Sequence, residues 1–158
     1  MIYKELKNGK LYNDFLSYAY SFNPHDKTIV LESVSSLLKQ KKYQDVVDRL
    51  AGYTESHDFD IDISTTLSFA AVQVEQYDLA MRELDKQRPW TSNRLALNLK
   101  KAHIYYLMDD LKNAEAYYLS VLKNKLVDEA SFYLAQIYMS QNKYVDAQFL
   151  YEQVPISS

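Results

Sequence analysis

The sequence predicts an all-α fold in which antiparallel helix pairs stack side by side. Three observations predict it. The chain of 158 residues has only 2 glycines and 3 prolines, too few for the many turns of a β-sandwich. Its apolar residues recur at spacings of three and four, the period of one helical face. The same alternation of large and small residues returns about every 34 residues, which is typical of a helical repeat protein.

The repeat period is clearest at the start of each second helix. Stepping back from Tyr144 gives Leu111, Tyr77 and Tyr43, at spacings of 33, 34 and 34 residues. Three residues after each of these comes a small or short apolar residue, and four residues later a large one: Ala147, Ala114, Ala80 and Val46, then Tyr151, Tyr118, Leu84 and Leu50. An upstream set is in the same register: Ala135, Ala102, Ser68 and Val34. Small residues let two helix backbones approach, and the large neighbours fill the groove beside them.

The helices follow in order along the chain. An apolar-periodic helix at 10–22 covers the first repeat, and each repeat then contains two helices with a short polar break between them. The predicted helices are 10–22, 27–39, 43–53, 61–74, 77–86, 93–107, 111–122, 128–140 and 144–154. The predicted connectors between repeats are 54–60, 87–93 and 123–127.

These residues resemble the tetratricopeptide repeat (TPR), over about four repeats in residues 27–154. The resemblance implies a right-handed superhelix of antiparallel helix pairs, a TPR-like α-solenoid. We therefore expect one domain, 1–158, with an N-terminal helix in 1–26 and repeats at about 27–60, 61–94, 95–127 and 128–154. The sequence departs from the family where a Trp-like residue is usual, and Lys101 stands where the family has a Leu-like residue. The residues in the Trp-like place are Val30, Ser64, Asn98 and Ser131.

The resemblance also implies a binding surface, because in this family the first helix of each repeat lines a concave groove. By register the groove positions are Thr28, Leu31, Ser35 and Leu38; Asp62, Thr65, Phe69 and Val72; Ala96, Leu99, His103 and Tyr106; and Glu129, Phe132, Gln136 and Met139. The family's carboxylate clamp needs Lys and Asn at places that hold pairs such as Leu99 and His103 here, so acidic chaperone tails are disfavoured. We instead expect an apolar trough for a hydrophobic segment of another protein. Its predicted partner-binding residues are Phe69, Val72, Leu99, His103, Tyr106, Phe132, Gln136 and Met139. The alternative is that these side chains are partly core, or are covered by the N-terminal helix.

Composition and motifs argue against catalytic and cofactor chemistry. The formal net charge of −3 gives no footprint for nucleic acid, and the absence of cysteine excludes thiolate metal sites. Asp58, Asp60 and Asp62 are spaced like the start of a calcium loop, but the required Gly and bidentate Glu are missing. We interpret them as carboxylates that complement the N-terminus of the helix at 61–74. No metal ligand, cofactor or catalytic residue is predicted, and His25, His57 and His103 share no metal-binding motif.

The predicted function is that of a protein–protein interaction scaffold or adaptor, and not of an enzyme. Two alternatives stay open: a chaperone of a secretion or assembly system, and a non-catalytic regulatory domain of a larger enzyme. The last helix, 144–154, needs a capping element, so self-association or further repeats at this end are expected. No apolar run approaches the roughly 20 residues of a membrane span, and residues 1–15 do not form a secretory signal. A cytoplasmic location is expected, or a periplasmic one if a signal has been removed.

Overall fold

The computed structural model describes residues 9–123 and 128–154, and within these ranges it contains nine α-helices and no strand. The helices are α1 Gly9–Phe22, α2 Lys27–Lys39, α3 Tyr43–Thr54, α4 Ile61–Gln73, α5 Tyr77–Gln87, α6 Arg94–Leu107, α7 Leu111–Leu122, α8 Asp128–Ser140 and α9 Tyr144–Glu152. A short 3₁₀ turn, Arg88–Trp90, follows α5. The all-α prediction is confirmed, and each predicted helix is present within two residues of its predicted bounds. Residues 1–8 of the predicted N-terminal segment and most of the connector at 123–127 lie outside the described residues.

Polar caps explain where several helices begin. The Asp26 carboxylate accepts hydrogen bonds from the backbone N–H groups of Thr28 and Ile29, and Asp60 caps α4 in the same way. Asn93 and Asp110 cap α6 and α7 through one backbone N–H each. Such caps satisfy N–H groups that have no partner inside the helix. Within the Asp58–Asp62 stretch, Asp60 therefore has the expected role at the N-terminus of α4.

The turn inside each repeat has the same backbone geometry four times. One residue per repeat has a left-handed backbone, with φ between 56° and 61°: Lys41, Glu75, Asp109 and Asn142. The next backbone N–H then bonds a carbonyl five residues earlier, as Asp110 does to Tyr105 at 2.9 Å and Lys143 does to Tyr138 at 2.9 Å. This is the Schellman arrangement that ends a helix and reverses the chain. It explains how repeats without glycine at this place form tight helix hairpins.

The residues predicted at the helix crossings are buried. Val46, Ala80, Ala114 and Ala147 are each 0% exposed, so the second helix of every repeat uses a small or short residue at its crossing. Ala102 and Ala135 on the first helices are also 0% exposed. Lys101, which occupies an apolar place of the repeat, is 8% exposed, and its ammonium forms an ion pair with Asp85. Its aliphatic stem fills the apolar space while the charged end reaches a carboxylate.

The chain divides into two compact units, Met1–Glu83 and Leu84–Ser158, with the division inside α5. The prediction of a single domain stays a prediction. In the first unit, α1 packs on α2, α2 on α3 and α3 on α4. Two hydrogen bonds join α1 to α2: the Tyr12 hydroxyl donates to Glu32 at 2.5 Å, and the Ser36 hydroxyl donates to Asn13 at 2.5 Å. The N-terminal helix thus covers the first helix of the first repeat, as predicted.

In the second unit, α6 packs on α7, α7 on α8 and α8 on α9. Its core cluster consists of Ala102, Ala114, Tyr118, Val121, Ala130, Leu134 and Ile137. The small residues allow α6, α7 and α8 to approach, and Tyr118 fills the space between them. Among the described helices, none has the length and apolar character that crossing a membrane requires. The second unit carries most of the predicted binding residues.

Candidate functional site

The candidate site in the second unit is the α6/α8 surface, formed by six side chains of α6 and α8. Its members are Leu99, His103 and Tyr106 on α6 and Phe132, Gln136 and Met139 on α8. Spacings of three and four place each set of three on one helical stripe. These six are the predicted site residues of the third and fourth repeats.

The six side chains differ in how far they are buried. Phe132 is 41% exposed and Met139 is 45% exposed, whereas Leu99, His103, Tyr106 and Gln136 are partly buried. Leu99 and Tyr106 pack against the core cluster of the second unit. The predicted binding trough and its alternative, a set of core side chains, both stay predictions. The α6 residues support the surface from below, and Phe132 and Met139 form its open apolar part.

The Tyr133 ring, which is not among the predicted site residues, lies at the centre of this surface. Tyr133 is 4.9 Å from His103, 5.0 Å from Tyr106 and 5.4 Å from Phe132, measured between ring centroids. It also stacks on Tyr118 at 5.9 Å with the rings 7° from parallel. Aromatic contacts of this kind fix side-chain orientation beyond what area burial alone does. The only signal in the sequence is that Tyr133 directly follows Phe132 in a chain rich in tyrosine.

One hydrogen bond ties the two helices together across the surface. The Tyr106 hydroxyl donates to Oε1 of Gln136 at 2.7 Å. Both residues were predicted at the site, and the structure brings them into direct contact. Nδ1 of His103 is buried and has no hydrogen-bond partner among the described residues. The Tyr118 hydroxyl below is likewise buried without a described partner, and burial raises the pKa of Tyr118.

The open part of the surface continues from α8 onto α9. The Phe132 ring is 6.1 Å from the Tyr151 ring, and Met139 lies at the edge of a groove of about 550 Å³. The groove is lined by Met139, Tyr144, Gln148, Tyr151, Glu152 and Val154. The predicted partner-binding set stops at Met139 and does not include the groove residues of α9 or Val154, although Tyr144 and Tyr151 belong to the repeat pattern.

In the first unit, the predicted site residues are described separately. Phe69 on α4 is 51% exposed, and its ring meets Tyr43 edge-on at 6.0 Å. Val72, one turn further along α4, is partly buried. Phe69 is thus an exposed aromatic held by a neighbouring ring, as Phe132 is in the second unit. Asp62 and Thr28 at the starts of α4 and α2 are exposed.

A polar cavity of about 370 Å³ lies in the first unit beside α1, α2 and α3. It is lined by Lys10, Asn13, Asp14, Leu16, Ser17, Ser33, Ser36, Leu37, Gln40, Lys42 and Arg49. Gln40 donates to the Ser36 hydroxyl at 3.1 Å, which itself donates to Asn13. Its lining groups bond one another, and it lacks the apolar character of the α6/α8 surface. Among the described residues, no three His, Asp or Glu side chains are grouped so that they could hold a metal ion.

Solved structures share the arrangement of helices. The crystal structure of MamA has a TM-score of 0.74 with this chain, at 12% sequence identity over 89% of this chain and 83% of MamA. A second MamA structure, MamA MSR-1, has a TM-score of 0.71 at 17% identity, over 89% of this chain and 82% of the other. YrrB, described as a TPR protein with an unusual peptide-binding site, has a TM-score of 0.74 at 13% identity, over 96% of this chain and 79% of YrrB.

No protein-family model matches the chain, and no curated protein matches it by sequence. The similarity to these solved structures is therefore one of fold, at sequence identities below 20%. This chain has the fold of the tetratricopeptide-repeat proteins, as the repeat of large and small residues in its sequence predicts.

Proposed function

We propose that this chain is a protein–protein interaction scaffold, and that the α6/α8 surface binds an apolar segment of a partner protein. The observation that carries the proposal is the exposure of Phe132 and Met139 on a surface whose other side chains are held by contacts beneath them. Exposed aromatic and Met side chains on a rigid support are the residue types that dominate binding energy at interfaces.

The shape and charge of the surface define the partner. Phe132 and Met139 are seven residues apart on one helix, so two apolar anchors separated by about 10 Å would contact both. A helix that presents such anchors at positions i and i+7, or a polyproline II segment with anchors three residues apart, meets this spacing. The exposed acidic residues Asp128 and Glu129 begin the same helix, so basic residues beside the anchors favour binding.

The fold supports the same proposal by analogy. YrrB, which shares this fold, is described as having a peptide-binding site. In the proposed role the chain binds and positions a partner protein and carries out no catalysis. The net charge of −3 disfavours a nucleic acid as that partner. Phe69 and Val72 in the first unit are proposed to contact the partner as well.

The experiment compares partner capture by three forms of the chain. The test variant is Phe132→Ala with Met139→Ala, and the matched control is Met108→Ala with Leu119→Ala. The control residues are 42% and 38% exposed, close to the 41% and 45% of the test pair, but neither belongs to the α6/α8 surface. Tyr106 is unsuitable for such a test because it is partly buried and bonds Gln136.

Each form is immobilised, exposed to cell extract and analysed by mass spectrometry, and the main partner is then titrated as a purified protein by calorimetry. We expect the test variant to weaken binding by on the order of 30-fold or more, the loss expected for one or two interface hot spots. The control should bind like the unaltered chain. Equal binding by all three forms, or equal loss in both variants, would contradict the proposal.

A further inference from the structure

Helix α9 differs from the second helices of the other repeats on its outward side. Val145 is 82% exposed and Phe149 is 60% exposed. By register these residues stand where α7 has Lys112 and Ala116. The corresponding places in the three earlier repeats are polar or small, and all are exposed: Gln44 and Asp48, Asp78 and Arg82, Lys112 and Ala116. The last repeat therefore places two large apolar side chains where its predecessors have groups suited to water.

A further repeat after α9 would not cover these two side chains. In the second unit, α8 follows α7 and buries Tyr118 completely, with Tyr133 stacked on it. The same packing leaves Lys112 and Ala116 of α7 exposed. A helix placed against α9 in the same register would bury Tyr151, now 38% exposed, and would leave Val145 and Phe149 in water. The outward side of α9 thus needs an occupant other than the next repeat.

We infer that this outward side of α9 is an interface with a second copy of the same chain, in which the two α9 helices lie antiparallel about a twofold axis. Such an interface must be self-complementary, because the same patch is used by both copies. Antiparallel α9 helices that cross at the level of residue 147 place Val145 of each copy against Phe149 of the other. The two apolar side chains then cover each other.

The ends of α9 also carry complementary charges. Lys143 directly precedes the helix and Glu152 is its last residue, and both are exposed. Each charge has the sign that its own helix dipole disfavours, since a cation is unfavourable at an N-terminus and an anion at a C-terminus. In the antiparallel pair, Lys143 of one copy lies at the end where Glu152 of the second copy is found. Lys143, which now lies 4.9 Å from the centroid of the Tyr138 ring, then gains a carboxylate partner.

The apolar area of the outward side agrees with a weak, reversible dimer. Val145 and Phe149 are 82% and 60% exposed. Two side chains of this size and exposure amount to on the order of 200 Å² of apolar area in each copy. Two copies together, with the exposed Gln148 and Glu152 beside the apolar residues, stay below the roughly 1,000 Å² of a tight interface, so we expect a dimer that forms only as the concentration rises.

The experiment measures the sedimentation of the purified full chain over a wide concentration series. The variant Val145→Lys with Phe149→Ala gives α9 the outward residues of α7, and because both side chains are exposed it keeps the helix content of the unaltered chain. We expect the unaltered chain to dimerise, and this variant to raise the dissociation constant by on the order of 30-fold or more. Met108→Ala with Leu119→Ala should dimerise normally.

Two results would overturn the inference: a chain that is monomeric at every concentration, or a dimer that Val145→Lys with Phe149→Ala leaves unchanged. The orientation has its own test, because the chain has no cysteine. Lys143→Cys and Glu152→Cys chains are mixed and oxidised, and the antiparallel pair predicts cross-links between the two different chains. Cross-links formed mainly between identical chains would exclude the antiparallel arrangement. The dimer is independent of the proposed function, since Phe132→Ala with Met139→Ala leaves the outward side of α9 intact.

Discussion

The Tyr106 hydroxyl donates a 2.7 Å hydrogen bond to Gln136, which joins the first helices of two successive repeats. The two residues are 30 positions apart, and both are partly buried. Because the Tyr106 ring also packs against Tyr133, this one side chain links the core beneath the surface to the residues that line it. The geometry of the α6/α8 surface therefore depends on a polar contact as well as on apolar packing.

Removing this hydrogen bond should loosen the second unit. We expect Tyr106→Phe to lower the free energy of unfolding by about 1 kcal/mol, because it removes one hydrogen bond and leaves the Gln136 oxygen partly buried without it. Urea unfolding followed by circular dichroism measures the change. The matched control is Tyr144→Phe, whose hydroxyl donates to Asn142 at 2.6 Å at an exposed site and should cost less than about 0.5 kcal/mol. Equal losses in both variants would show that the Tyr106 bond has no special role.

The left-handed turn residues lead to a prediction that substitution increases the stability of the protein. Lys41 and Glu75 have φ of 56° and 61°, a backbone conformation that disfavours side chains with a Cβ. Glycine should raise the free energy of unfolding by about 0.5–1 kcal/mol at each position, the strain relief exceeding the added entropy of the unfolded chain. Asn142→Gly is the control, since asparagine already tolerates this conformation and should gain less. Thermal unfolding of the three variants tests whether Lys41→Gly and Glu75→Gly gain more stability than Asn142→Gly, and a loss of stability in Lys41→Gly and Glu75→Gly would contradict the prediction.

Much of the fold could be predicted because the crossing residues follow a strict register. Ala80, Ala114 and Ala147 were identified from spacing alone, and all three are fully buried. The periodic spacing of large and small residues indicates which positions face a neighbouring helix. These positions can be identified without knowing which distant side chains they contact. The turns were located but their geometry was not, because Lys41 and Glu75 carry none of the glycine signal that usually marks a left-handed residue.

The candidate site could be predicted only in part. Register places Tyr106 and Met139 at equivalent positions of successive repeats, yet Tyr106 is partly buried and Met139 is 45% exposed. The difference arises because α8 follows α6 and packs beside it, whereas no described helix follows α8 in that position. The register of the repeats also does not mark Tyr133 as a site residue, although its ring contacts His103, Tyr106 and Phe132. The burial of a side chain and its ring contacts depend on which helices lie beside it. The repeat pattern is the same in every copy, so it does not predict these differences between copies.

The buried hydroxyl of Tyr118 leads to a prediction about stability and pH. It has no hydrogen-bond partner among the described residues, so Tyr118→Phe should keep the ring packing and raise the free energy of unfolding by about 1 kcal/mol. Burial raises the pKa of Tyr118, so the folded state resists ionisation that the unfolded state undergoes near pH 10. Stability should therefore fall above about pH 10, and fall less steeply in Tyr118→Phe. Urea unfolding at neutral and alkaline pH measures both effects, and a destabilised Tyr118→Phe would contradict the prediction.

Asp60, which caps α4, should make the protein less stable at low pH, whereas Tyr118 makes it less stable at high pH. Lys27 donates a 2.5 Å hydrogen bond to the Asp60 carboxylate, and this bond, with those from the Ile63 and Asp62 backbone, lowers the pKa of Asp60. A lowered folded pKa contributes stability that is complete above the ordinary value near 4 and is lost as the pH falls through the folded value. Asp60→Asn keeps a capping side chain but removes the charge, so it should cost about 0.2–1 kcal/mol at pH 7, the range of an exposed ion pair.

That difference should shrink as the pH falls from about 5 to below 4, because the protonated Asp60 of the unaltered chain then resembles asparagine. Urea unfolding of the two chains across this range measures it, and Asp60→Ala is the control that also removes the cap and should cost about 1 kcal/mol at pH 7. Lys27→Met should move the NMR titration of Asp60 upward, since it removes the largest cause of the lowered pKa. A stability difference between Asp60→Asn and the unaltered chain that does not change with pH would show that the carboxylate charge has no part in holding α4.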